Sequence, residues 1–420
     1  MAYRTLKSIF HQKDREAADR EETARRTSPS ALHWNFTIGE FTMFCLVTPE
    51  IAVHIEQIMV LENRARELWS RLPGGVRHHY LRSVIIEEIH ATNEIESVYS
   101  TRQEIAEVLD AVNGLAPSER HRFREMARLY VALTDGKPEI PGGLDALRTV
   151  YDEVTAGEIT GQDAPDGTRF RAGTVRIFDG QKVVHQGSPS EEDIEKGLQE
   201  MLRQSRDEAI PGLIRAVSAH FIFENVHPFY DGNGRTGRYL LAMDLTRSLS
   251  PVAWLSLSAT IADNKDRYYK AFQNAEAPMN RGDVTPFVHE LLDIIAEAQG
   301  RLCADLELRN AQISRMFERI TELDTDEKSP LAGTSKDTLT VLSIIGQASL
   351  FGERGEVDLD AIASSTGKSK QYVRPKTVDL VNRCLVEQTS GRPLRFRLTA
   401  QSRELLGLDD GDQENIVQQA

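Results

Sequence analysis

Twelve consecutive residues, His227 to Arg238 (HPFYDGNGRTGR), hold most of the side chains that can do chemistry in this chain. His227 exchanges a proton near neutral pH and suits a general base. Asp231 is a hard oxygen ligand of the kind Mg2+ takes. Gly232 and Gly234 have no side chain, so backbone N–H groups there can approach a phosphate closely. Arg235 and Arg238 stand three apart and share a face if the segment opens a helix. Each can fork onto phosphate oxygens. An isolated Gly-Asn-Gly reads as a turn between helices. A base, a carboxylate, glycines and two arginines in one stretch point to phosphate chemistry instead.

Two helices must hold that stretch. Pro211 to Asn225 is strongly apolar (Leu213, Ile214, Val217, Phe221, Ile222) and delivers His227 at its end. Tyr239-Leu240-Leu241-Ala242-Met243 continues as a second helix to about Leu249. The glycine loop therefore lies at a helix N-terminus, where the dipole and free N–H groups favour anions.

Around this pair the chain reads as mostly helical. Helical periodicity covers 49–70, with Ile51, Val53, Ile55, Ile58, Val60 and Leu61 as the core side, then 76–96, 102–134 and 143–155. Pro73-Gly74-Gly75 separates the first two. Segments around Arg176-Ile177 and Val183-Val184-His185 flank Asp179-Gly180, a hairpin signal. Ser188 to Glu192 carries capping chemistry for a helix to about Arg203. One long helix, 285–320, closes this part.

At 420 residues the chain has room for two or three domains, and its net charge of −14 argues against non-specific nucleic-acid binding by the whole molecule. Cys45, Cys303 and Cys384 are scattered, without disulfide or zinc spacing, as expected of a reducing, cytoplasmic setting. Neither a signal-peptide core nor a run of about 18 apolar residues occurs, so no membrane partner is expected. The expected divisions are a charged tail at 1–30, a helical region at 31–135, a catalytic core at 136–320, a linker at 321–336, a domain at 337–408 and a polar tail at 409–420.

The signature resembles that of the Fic family, His-x-Phe-x-Asp/Glu-Gly-Asn-Gly-Arg-x-x-Arg, with every specified position matched. The resemblance implies an all-α core with a small β-hairpin flap and a protein adenylyltransferase activity. AMP would pass from ATP to a Ser, Thr or Tyr hydroxyl of a protein, and pyrophosphate would leave. Gly232, Asn233, Gly234, Arg235, Thr236, Gly237 and Arg238 would surround ATP. Asn233 would face the α-phosphate, Arg235 the β-phosphate and Arg238 the γ-phosphate. Mg2+ would sit on Asp231, Phe229 would anchor the loop, and His227 would take the hydroxyl proton.

Weaker motifs carry further implications. Ala91 to Ser97 (ATNEIES) resembles the family's inhibitory motif, Ser/Thr-x-x-x-Glu-Gly/Asn. Thr92 and Glu96 fit, one helical turn apart, and Ser97 departs from the final Gly/Asn. Glu96 would pair with Arg238 and keep it from the γ-phosphate. Thr174, Val175, Arg176 and Ile177 would form a flap that clamps a target segment by strand addition, or the hairpin is structural only. Asn264, Tyr268 and Tyr269 would line an adenine pocket, although tyrosine pairs on helices also serve as core. Asn274 is the nearest match to an asparagine that often follows the pair.

After residue 336 the pattern is three helices, then strand, turn and strand, which looks like a winged helix-turn-helix domain. Lys368, Lys370, Arg374 and Lys376, with Arg392, Arg395 and Arg397, suit DNA phosphates or protein contacts. Pro375 should shift or kink the third helix. Other readings stay open: a transcription regulator whose core senses nucleotide, a different phosphate-group transfer, or removal of AMP with Glu96 positioning water. The partners expected are a protein substrate, the chain itself included, with DNA and a homodimer left open.

Overall fold

The computed structural model describes residues 3–112, 122–136, 139–159, 161–179, 182–351 and 355–408. Gly180, the middle of the 102–134 helix reading and the tail at 409–420 lie outside them. The chain divides into two compact units: residues up to Asn63 with Ile85–Gly300, and Arg64–Val84 with residues from Arg301 onward. No helix among the described residues is long and apolar enough to cross a membrane.

In the first unit, helix Gly212–Val226 packs beside helix Asn233–Leu245, and helix Glu191–Gln204 lies against the first of these. The buried side chains explain the order. Leu213, Ile214, Val217, Phe221 and Ile222 are all in the core, as are Leu241, Ala242 and Leu245 on the partner. Ser190 caps the Glu191 helix, its hydroxyl accepting the Asp193 N–H at 3.2 Å. Arg176–Asp179 pairs antiparallel with Lys182–Gln186.

Three features differ from the sequence reading. The segment read as a charged tail forms helices Leu6–Gln12 and Arg15–Arg26, capped by Thr5 and Asp14. The reason is a buried charge pair: Arg25 Nη1 lies 2.9 Å from Asp283 Oδ2, which also accepts the Tyr3 hydroxyl at 2.6 Å. Arg26 and Arg281 add bonds to the Thr42 carbonyl and to Glu22. Second, the region read as wholly helical begins with a hairpin, Ala31–Ile38 against Phe41–Leu46, turning at Gly39 with φ +61°. Gly282 closes onto this hairpin. Its φ is +77°, and a Cβ there would stand 2.6 Å from the Thr42 carbonyl oxygen. Third, on helix Pro49–Arg71 the buried line is Ile51, Ile58, Ala65 and Leu68, while Val53 and Val60 are 60% and 62% exposed. Two residues from Ile51 is about 200° around a helix, which turns Val53 to the opposite side.

The second unit carries helices Lys336–Phe351, Leu359–Thr366 and Lys370–Asn382. Its three-stranded antiparallel sheet has Leu394–Leu398 between Val357–Asp358 and Val386–Gly391. Leu342, Ile345, Ile362, Val373, Leu380 and Phe396 form its core. Pro375 sits inside helix Lys370–Asn382, which Ser369 caps, so the helix neither starts after it nor stops at it. Helix Thr285–Thr325 runs past the start of the stretch read as a linker. The rest of that stretch is fixed by buried Leu331 and by Arg383, which donates to the Pro330 and Ala332 carbonyls.

The Arg25–Asp283 pair sets a test of the N-terminal reading. Removing one partner of a buried pair typically costs ~3–5 kcal/mol. Arg25→Ala should therefore lower unfolding stability by about that amount in urea melts. A change under about 0.5 kcal/mol, the usual size for an exposed surface residue, would return these helices to the status of a loose tail.

Candidate active site

His227 ends helix Gly212–Val226 in the left-handed region, at φ 50° and ψ 65°, with its N–H on the Phe223 carbonyl. That strain-prone geometry turns the chain sharply into the loop. Arg171, fully buried, holds the corner: its Nε donates to the His227 carbonyl at 2.7 Å and its Nη2 to the Val226 carbonyl at 3.2 Å. Phe229 is buried, with its ring stacked 3.5 Å from that of Tyr151. Asn233 braces the loop from the other side, its amide bonding both the N–H and the carbonyl of Phe229 at 2.9 and 2.8 Å. The side chain expected to face an α-phosphate is thus engaged with the loop itself. Thr236 returns its hydroxyl to the Gly232 carbonyl, and Gly237 lies against Glu224, so both face the interior.

Gly232, at φ +81°, precedes helix Asn233–Leu245. A Cβ there would stand 2.6 Å from Thr155, and one on Gly234 would collide with the Glu96 carboxylate. The first-turn N–H groups of that helix have no intrahelical acceptor. The loop is therefore an anion cradle, and the anion against it is Glu96.

Glu96 reaches the loop from the end of helix Gly74–Ile95. Its Oε1 is 3.0 Å from Arg238 Nη2. Arg238 also donates from Nε to the Thr92 hydroxyl at 2.8 Å and from Nη2 to the Thr92 carbonyl at 2.9 Å. Ser97 then takes φ 58°, and the Val98 N–H closes onto the Asn93 carbonyl at 2.9 Å. This is a left-handed helix cap, where glycine or asparagine is favoured over serine. The departure from the motif is therefore a matter of backbone strain, and the geometry survives it.

Asp231 is exposed, and its Oδ1 accepts the Gly232 N–H at 2.6 Å. No cluster of three or more metal-binding side chains exists among the described residues. A Mg2+ at Asp231 would fill its shell with phosphate oxygens and water, the common habit of this ion, so the single carboxylate fits.

Burial pushes His227 down to about 3, with His185 and Arg171 adding to the effect, so the imidazole is neutral at pH 7. The His185 ring lies 5.4 Å from it, held by Glu276 at 2.9 Å. His185 pairs across the hairpin with Ile177. Arg176 and Ile177 are strand residues, whereas Thr174 and Val175 precede the strand, the Val175 carbonyl accepting the Gly187 N–H. Tyr268 is buried with its hydroxyl 2.6 Å from His220, and Tyr269 packs edge-on against it with partial exposure. Asn264 stands just before the next helix, and its amide donates to the Thr260 carbonyl and to Glu297. Arg171, Glu158, His185 and Glu276 were not singled out from sequence as site residues. Only their positions in space give them a role.

The loop thus brings a neutral imidazole, glycine backbone at a helix N-terminus and two buried arginines together in one place. Residues 141–245 match the Fic/DOC family model, and the chain carries a Fic domain. It is 35% identical to protein adenylyltransferase fic-1 of Caenorhabditis elegans over 121 residues, 28% of this chain and 22% of the relative. It is 32% identical to protein adenylyltransferase Fic of Nematostella vectensis over 148 residues, 34% of this chain and 31% of the relative. The chain thus spans less than a third of the length of these relatives. A Fic family protein from Desulfovibrio desulfuricans G20 shares the fold, with a TM-score of 0.50 at 21% identity, covering 84% of this chain and 97% of that one.

Two predictions follow from the local geometry. Glycine removes the penalty for left-handed backbone at residue 97, so Ser97→Gly should raise stability by ~0.5–1 kcal/mol in denaturant melts. A loss of stability would show that the serine side chain matters more than its backbone. Glu224 is partly buried beside Arg238 with one carboxyl oxygen enclosed, and this desolvation pushes its carboxyl from 4.5 up to about 8. The folded chain holds this proton where the unfolded chain has lost it. The stability from Glu224 is thus fully present below pH 4.5 and is lost as pH rises through about 8. Glu224→Gln should match the wild type near pH 4 and melt at higher temperature than the wild type near pH 9. A Tm difference that does not change across that range would contradict the shift.

Proposed function

We propose that this chain is a protein adenylyltransferase that Glu96 holds in an inhibited state. The observation that carries the reading is the double capture of Arg238 by Thr92 and Glu96 over the glycine cradle. A carboxylate in that place takes the arginine fork and puts negative charge where a terminal phosphate would lie. The matches to relatives named protein adenylyltransferases support the class of reaction.

The chemistry on this reading is direct. The hydroxyl oxygen of a target Ser, Thr or Tyr attacks the α-phosphorus of ATP, and the bond to the β-phosphate oxygen breaks. His227 accepts the hydroxyl proton, and pyrophosphate leaves. Mg2+ bound at Asp231 would supply charge neutralisation on the phosphates. Arg235, Arg238 and the N–H groups of the first helical turn then act on the negative charge of the phosphate chain, which is the main demand of such a transfer. Base catalysis at His227 adds roughly 10²–10⁴-fold. The open edge of strand Arg176–Asp179 supports docking of an extended target segment, with the hydroxyl delivered toward His227.

The C-terminal unit has an architecture of its own. Its helix, strand, helix, helix, strand, strand order fits the winged-helix reading. DNA binding has less behind it. Lys370, Arg395 and Arg397 are paired with Asp360, Glu356 and Glu387. Lys376 lies 3.9 Å over the Tyr372 ring.

Incubation with α-labelled ATP tests the main reading. Glu96→Gly should raise auto-modification about 10²-fold, since realigning a reacting group by ~1 Å is worth that much. The γ-label should not be transferred. Adding His227→Ala to Glu96→Gly should return transfer to background. Equal labelling of wild type and Glu96→Gly would leave Glu96 as an ordinary helix-end carboxylate.

A further inference from the structure

The two signature arginines are held differently. Arg238 has both Nε and Nη2 engaged on the inhibitory helix. Arg235, only 1% exposed, is gripped at Nη1, 2.8 Å from Glu158 Oε2. Its Nη2 faces the glycine loop, 3.8 Å from the place a Cβ of Gly232 would occupy. Its Nε is buried without a hydrogen-bond partner. The fork is thus anchored by one arm, with Nη2 turned toward the loop where an anion would lie.

Glu158 is itself fixed. Its side chain is nearly buried, and its Oε1 has no hydrogen-bond partner. Its N–H bonds the Thr155 carbonyl at 3.0 Å, one residue after Gly157 turns the chain at φ +80°. Arg122 Nη2 sits 3.3 Å from the same Oε2, and Arg122 Nη1 donates to the Tyr99 carbonyl at 3.0 Å. Tyr99 is three residues beyond Glu96. Arg122 therefore ties the carboxylate that holds Arg235 to the segment leaving the inhibitory helix.

We infer that Glu158 is a positioning residue: it fixes Arg235 by Nη1 so that Nη2 meets the middle phosphate of the nucleotide, and Arg122 couples it to the segment after Glu96. The inference rests on the adenylyltransferase reading for the identity of the substrate, and on the ion-pair geometry alone for the role of Glu158. A carboxylate that blocked the site would occupy the donors facing the loop, as Glu96 does. Glu158 occupies the donor turned away from it. Leaving an arginine charge half-paired in a buried place also favours the arrival of a phosphate oxygen, because the remaining N–H groups have no acceptor of their own.

The test uses the full chain in the Glu96→Gly background, with Glu158→Ala and Glu158→Gln. Two quantities are read: Mg·ATP affinity by calorimetry in the additional presence of His227→Ala, and KM and kcat for transfer of α-label. Glu158→Ala should weaken ATP binding and raise KM about tenfold, the worth of one well-placed charged hydrogen bond. Glu158→Gln, which keeps an acceptor for Nη1, should recover part of that loss. Tighter ATP binding in Glu158→Ala would make Glu158 a second blocking carboxylate and overturn the inference. Unchanged affinity with a lowered Tm would make it structural only and overturn it as well. If Glu158→Ala does not fold, Glu158→Gln decides, with weaker binding expected and unchanged binding counting against. Absence of label transfer in every variant would remove the adenylyltransferase reading while leaving the calorimetric result to stand.

Discussion

Two buried positive charges at the positive end of a helix set the terms for this site. Arg235 and Arg238 are 1% and 3% exposed and lie in the first two turns of helix Asn233–Leu245. Desolvating a guanidinium is expensive, and the helix dipole adds to the cost. Anions must therefore stand beside them, and in this structure the anions are Glu158 and Glu96. Much of the surrounding construction follows. Helix Gly74–Ile95 ends where its last turn can deliver Thr92 and Glu96, and the Thr155–Glu158 turn brings Glu158 to the same loop. Gly234 and Gly237 lack a Cβ because carboxylates of Glu96 and Glu224 occupy the space.

The same demand separates the protonation states of the site. Burial leaves His227 neutral and Glu224 protonated at neutral pH, so neither adds a charge beside the arginines. Glu96 is the carboxylate at the partly exposed edge, and it is the one that pairs with Arg238. Glu224 keeps its proton because its carboxyl is withdrawn from water.

Legibility in the sequence followed the range of the interaction. The loop from His227 to Arg238 was readable because its chemistry is local: glycine conformation, a helix N-terminus and side chains three apart. Thr92 and Glu96 were readable as a spaced pair. Arg235 and Glu158 lie 77 residues apart, and Arg25 and Asp283 lie 258 apart, so no window of sequence contains either pair. Charge content made residues 3–30 look solvated, because composition records a charge and not its partner. The first hairpin was missed for another reason. Its register shifts between His33 and Thr37, which breaks the alternation that marks a strand. The two-unit division joins residues 64–84 to the chain beyond 301, and a linear reading places boundaries only between neighbours in sequence.

The placement of Glu96 also limits what can relieve it. The loop admits the Glu96 carboxylate through features that would equally suit a phosphate: first-turn N–H groups, no Cβ at Gly234 and an arginine fork. A ligand shifts such an equilibrium only by the difference in its affinity for the two states. ATP that binds equally well with Glu96 in place gains nothing by displacing it. The helix end that presents Glu96 is itself held, Lys265 donating to the Ile95 carbonyl at 2.7 Å and Arg122 to that of Tyr99 at 3.0 Å. Both grips are hydrogen bonds to backbone carbonyls. Each is worth roughly 1.5–3 kcal/mol as a bond to a charged group. On the inhibited-enzyme reading proposed above, a partner that competes for those two cations would loosen the hold on Glu96 from outside the loop.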